Sequence, residues 1–73
     1  MDKLTIQNEN KILHINKSQA LKIELRINLL INKNHWRELG DVLYNFHALN
    51  KKPNTPVQIT NEKFDVLQEI LTT

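Results

Sequence analysis

The chain has 73 residues, the length of one small domain near the lower limit for folding without a staple. It contains no Cys, which excludes a disulfide framework and a thiolate metal site, so the core or a second subunit must supply the stability; a homodimer is expected. Net charge is +2, too small by itself to imply a polyanion partner.

The distribution of charge says more. From Lys11 to Arg37 there are six basic residues (Lys11, Lys17, Lys22, Arg26, Lys33 and Arg37) against the single acid Glu24, whereas in residues 53–73 the acids Glu62, Asp65 and Glu69 outweigh Lys63. Met1-Asp2-Lys3-Leu4-Thr5 lacks the basic and apolar regions of a signal peptide, and no apolar run approaches the roughly 20 residues of a membrane span. A cytoplasmic protein with no membrane association is expected, acting in its own cell or inside a host. Asn occurs ten times and Gly only at Gly40, a usage that fits an AT-rich genome such as that of a phage or plasmid.

Taken in order, Leu4-Thr5-Ile6 alternates as a short strand, and the polar turn Gln7–Asn10 leads to Lys11-Ile12-Leu13-His14-Ile15, a second strand. The two read as a hairpin. Asn16–Gln19 reads as another turn. Leu21-Lys22-Ile23-Glu24-Leu25-Arg26-Ile27-Asn28-Leu29 then alternates apolar and polar for nine residues. On a helix the same apolar residues would scatter around the whole circumference, so a central strand with one face on the core is expected.

After Ile31, Asn32 and Asn34 are both candidate N-caps of a helix, and Asn32 has the further argument that it places Ile31 and Trp36 as a hydrophobic staple. Trp36, Leu39, Val42, Leu43, Phe46 and Leu49 fall on one face, and Asn50-Lys51-Lys52-Pro53 ends the helix. Gly40 marks a candidate close approach of helix to sheet. Val57-Gln58-Ile59 is an extended segment able to add a fourth, edge strand. Thr60 caps a last helix, Asn61 to Leu71, with Ile59 and Phe64 as its staple. The expected fold is α+β: a three-stranded antiparallel meander with two helices packed on one face, in the order β-β-β-α-(β)-α, as a single domain.

Chemistry is poorly supplied. His14, His35 and His47 are too dispersed for a zinc site, so no metal or other cofactor is expected. Ser18 is the only Ser and lacks a nucleophile-elbow context; there is no Gly-rich phosphate loop. Pairs such as Glu38 with Asp41 and Glu62 with Asp65 suit the helix dipole better than catalysis. A non-enzymatic binding protein is expected. On the strand reading, Lys22, Glu24, Arg26 and Asn28 share the open face of the central strand, with Lys11, Lys17 and His14 beside them and Lys33 and Arg37 following, and a nucleic-acid-binding regulatory protein is the leading expectation. Such a face can track a phosphate backbone, although no strand carries an aromatic residue for base stacking.

The stretch Val57-Gln58-Ile59-Thr60-Asn61-Glu62-Lys63-Phe64-Asp65-Val66-Leu67-Gln68-Glu69-Ile70-Leu71 resembles the closing strand-turn-helix of the positive-cofactor-four class of single-stranded-DNA-binding domains. The likeness covers about a fifth of the chain. It departs from the class at Trp36–Lys52, which reads as a helix where the family continues its sheet, and at Thr55-Pro56, where a Lys-Gly is common. The resemblance implies a dimeric domain with sheet residues along DNA, Lys22 and Arg26 foremost. The competing expectation is an inhibitor or adaptor of the phage or plasmid type that occludes a protein target, through an edge strand or with Tyr44 as an anchor.

Overall fold

The computed structural model describes residues 2–73. The chain begins with β1 (Leu4–Gln7) and β2 (Ile12–Ile15), paired antiparallel with Leu4 opposite Ile15 and Ile6 opposite Leu13. Asn8 shapes the turn: its N–H donates to the Lys11 carbonyl at 3.0 Å, while its Oδ1 accepts from the Asn10 and Lys11 amides. Then come α1 (Lys17–Ile27), a 3-10 turn (Lys33–Trp36), α2 (Arg37–His47), β3 (Val57–Gln58) and α3 (Asn61–Thr72). β3 lies parallel to β1 on the side away from β2, giving the order β2-β1-β3. The protein is a small α+β domain, but its sheet is mixed, not a meander, and it has three α-helices where two were expected.

The difference is α1. The residues expected to form the central strand, Leu21 to Leu29, are helical through Ile27. Two local causes decide this. Asn16 is not a turn residue but a helix cap: its side chain accepts from the Gln19 amide at 2.8 Å, and the Gln19 side chain accepts from the Asn16 amide at 2.8 Å. Within the helix, Lys17, Gln19, Ala20, Leu21, Lys22, Glu24, Leu25 and Arg26 are all strong helix formers. Local propensity and the cap together outweigh the period-2 pattern.

On the helix the alternating apolar residues separate into two sectors. Ala20, Ile23 and Ile27, spaced three and four apart, are buried in the core. Leu21 and Leu25 lie roughly 100–140° around the axis from Ala20 and face solvent.

The core is one cluster in which β1 supplies Leu4 and Ile6, β2 Ile15, α1 its three residues, α2 Leu39, Leu43 and Phe46, and α3 Phe64, Leu67 and Ile70. Trp36 closes one side of it. α1 packs against both α2 and α3. The strand positions of opposite phase, Thr5, Gln7, Ile12 and His14, form the other sheet face, where Thr5 Oγ1 and His14 Nδ1 share a hydrogen bond of 3.1 Å.

Several boundaries differ from expectation. Asn32 precedes the 3-10 turn without a side-chain cap bond, and Ile31 is fully exposed, so no staple forms with Trp36. α2 ends at His47; Asn50 takes a left-handed conformation (φ 57°), and Leu49 is exposed beyond the helix, not part of its apolar face. Thr60 does cap α3, accepting from the Lys63 amide at 3.2 Å. No helix among the described residues is long and apolar enough to cross a membrane.

Candidate functional site

The expected basic strand face does not exist as such, because Lys22 and Arg26 sit on a helix. Lys11 follows the hairpin turn, where its Nζ lies 3.8 Å from Asp65 Oδ1 and above the Phe64 ring. Lys17 opens α1 and donates to Asn50 Oδ1. Lys22 donates to the Thr73 carbonyl oxygen at 2.8 Å. Arg26, one turn further along the same exposed side, borders a shallow hollow with Leu30, Val66 and Glu69. Lys33 and Arg37 stand together at the start of α2. The six cations are therefore dispersed: Lys11, Lys17 and Lys22 each reach a neighbouring element, and Arg26, Lys33 and Arg37 are exposed along the end of α1 and the segment that follows it.

Lys33 and Arg37 border a cleft of about 470 Å³ between the end of α1 and α2, which Gly40 and Tyr44 also line. Gly40 has nothing within 4 Å of where a Cβ would stand. It thus leaves the cleft open; it does not permit the close helix–sheet approach expected from the sequence. Tyr44 is half-exposed on the rim, its ring edge-on to His47 at 5.8 Å. His47 Nε2 in turn donates to Glu24 Oε1 at 3.1 Å, a part-buried link between α2 and α1. Glu24, the one acid of the basic segment, is consumed by this pairing.

Of the residues that alternation placed on the core face, Ile23 and Ile27 are buried but Leu21, Leu25 and Leu29 are surface. Leu21 is 43% exposed, Leu25 57% and Leu29 80%, and Ile31 is entirely in water. Leu21 and Leu25 are one helical turn apart, and Leu29 continues the spacing just past the end of α1. Single exposed apolar residues are ordinary, but a row of them on one helix is the pattern of an interaction surface. The signal was present in the sequence as the lack of any polar face on a helical projection.

Thr5 partners His14, His35 meets the Trp36 ring edge-on, and His47 pairs with Glu24. Among the described residues no cluster of His, Asp and Glu could hold a metal ion, and no buried side-chain polar atom lacks a partner. No protein-family model matches the chain, and no curated protein or solved structure is significantly similar to it.

Proposed function

We propose that this protein is a non-enzymatic binding module that docks on another protein through the exposed side of α1 and thereby occludes or recruits it. One observation carries the reading: Leu21 and Leu25 are exposed on a helix whose opposite side is already occupied by the core, and Leu29 is exposed just past its end. Burying one such side chain contributes about 1.5–3 kcal/mol, so the row offers an attachment site needing no chemistry. Tyr44, across the seam between α1 and α2, suits an anchor at its edge, since Tyr is enriched among residues that dominate binding energy. Nucleic acid is the weaker reading. Lys11 and Lys17 are engaged elsewhere, and a phosphate backbone leaves exposed leucines without a counterpart.

The test sets wild type against Leu25→Glu, which places a charge in the row without touching the core. Immobilised wild type should retain a protein that Leu25→Glu loses. Fluorescence anisotropy with labelled single- and double-stranded oligonucleotides should stay flat at low and physiological salt. Tight, steeply salt-dependent oligonucleotide binding that Leu25→Glu leaves unchanged would overturn the proposal.

A further inference from the structure

The two edges of the sheet are unlike. β3 is two residues long and follows Pro56, which has no N–H to donate, so that edge offers little backbone to a partner. β2 is four residues long, Ile12-Leu13-His14-Ile15, and holds no acid, lysine, arginine or proline that would blunt it.

The hairpin fixes where the backbone groups of β2 point. The Asn8 N–H donates to the Lys11 carbonyl at 3.0 Å, which makes Asn8 and Lys11 a hydrogen-bonded pair. Bonded and non-bonded pairs alternate along an antiparallel ladder. Ile6 with Leu13 and Leu4 with Ile15 are therefore bonded to each other, whereas Gln7 with Ile12 and Thr5 with His14 are not. Gln7 agrees with this phase, because its carbonyl turns away from β2 to accept from the Ile59 amide at 3.0 Å. The N–H and C=O groups of Ile12 and His14 accordingly point out of the sheet, where no element among the described residues pairs with them. Water satisfies them in the monomer; the protein geometry that replaces water there is an extended strand.

We infer that this edge pairs with the same edge of a second copy, joining two three-stranded sheets into one continuous sheet. One antiparallel register uses every outward group. Ile12 faces His14 of the second copy, each such pair exchanges two hydrogen bonds, and Leu13 meets its own counterpart on the two-fold axis. The side chains suit that register. Leu13, half-buried against the core, gains an apolar neighbour on the helix side, and Ile12, 63% exposed, gains one on the open face. Lys11 stands opposite Ile15, so the two copies of Lys11 lie at opposite ends of the ladder and no like charges oppose each other. Because the β3 edge is guarded, each copy has one edge to give, and assembly closes at two. The contact uses no residue of α1 and stands independently of the docking role proposed for that helix.

The experiment follows full-length protein, dilute and concentrated, by amide hydrogen exchange and NMR, with sedimentation velocity on the same samples. A concentration-dependent dimer should form. Exchange at Ile12 and His14 should slow by at least about tenfold once the concentration exceeds the dissociation constant by about that factor. The amide signals of Ile12 and His14 should move while those of Leu21 to Leu29 stay in place. In a mixture of labelled and unlabelled protein, an Hα–Hα contact between the Leu13 residues of two copies should appear, since a non-bonded pair brings Cα atoms to about 4.5 Å. Ile12→Pro removes one outward donor and should abolish the dimer, whereas Ile12→Thr keeps the donor and should retain it. Should Ile12→Pro fail to fold, the mixed-label contact decides.

A monomer at every concentration overturns the inference. A dimer that survives a folded Ile12→Pro, or whose moving signals are those of Leu21 to Leu29, places the contact elsewhere and equally overturns it. If the protein stays monomeric and a synthetic extended peptide of alternating Val and Thr protects Ile12 and His14, the occupant is a foreign strand and not a second copy.

Discussion

Ile23 and Leu25 are two residues apart on α1, yet the structure assigns them opposite environments: Ile23 is fully buried and Leu25 is 57% exposed. Had the segment been a strand, both would share one face and respond alike to truncation. On the helix, Ile23→Ala deletes a fully buried core side chain and should cost about 2–5 kcal/mol. Leu25→Ala removes partly solvated surface and installs the best helix former, so it should stay within about 0.5 kcal/mol of wild type. A domain of this length is held by about 4–11 kcal/mol in all, so the first change consumes a large share of stability and the second almost none. At about 4–8 °C per kcal/mol, the melting temperatures of the two variants should differ by at least about 6 °C. Urea unfolding followed by far-ultraviolet circular dichroism reads both effects. Equal losses would refute the helical assignment and the docking surface built on it.

Other substitutions test the remaining elements by the same urea assay. Gly40→Ala should stabilise α2 by about 0.5–1 kcal/mol, because a Cβ there meets nothing and Gly is a poor helix residue; a loss would mean the cleft is filled. Asn16→Ala should cost about 1 kcal/mol by removing the reciprocal cap of α1, whereas an unchanged midpoint would argue against that cap. Glu24→Ala should cost about 1–2 kcal/mol at neutral pH by leaving His47 part-buried without its acceptor, and replacing both residues with apolar ones should recover part of the loss. Leu43→Ala, in the centre of the α2 core face, should cost about 2–5 kcal/mol; a near-neutral result would place that face in water.

Much of the fold is legible from local pattern. The alternation of Leu4 and Ile6 gives β1 and its buried face, and Thr60 followed by an apolar stripe gives α3. The apolar stripe from Trp36 through Phe46 gives the buried face of α2, although the 3-10 turn and the early end at His47 follow from backbone geometry around Asn32 and Asn50. The extended segment at Val57 is legible, but its parallel pairing with β1 is not, since that depends on how α1 and α2 carry the chain across the sheet. α1 is masked by its alternation, although the Asn16-x-x-Gln19 cap and the run of helix formers both specify a helix. Reading the alternation as a strand moves Leu21 and Leu25 into the core and Lys22 and Arg26 onto a strand, so the candidate surface is hidden by the same step. Exposure of Lys22, Arg26, Lys33 and Arg37, by contrast, is legible from their charge alone.

The alternation has a physical source that bears on function. A helix made only for folding needs one apolar stripe, and Ala20, Ile23 and Ile27 already supply it for α1. Leu21 and Leu25 add nothing to that core, and each exposes apolar surface that water disfavours. Their retention costs the monomer little, since Leu is among the best helix formers at any exposed position. On the proposed reading, folding and docking fall on different sides of one helix and are separable: Ile23→Ala should act on stability, while Leu25→Glu should act on attachment with the fold intact. A segment whose sequence satisfies two environments at once loses the clean periodicity by which helices are recognised. Where local propensity says helix and periodicity says strand, the surplus apolar residues are the ones to test for a partner.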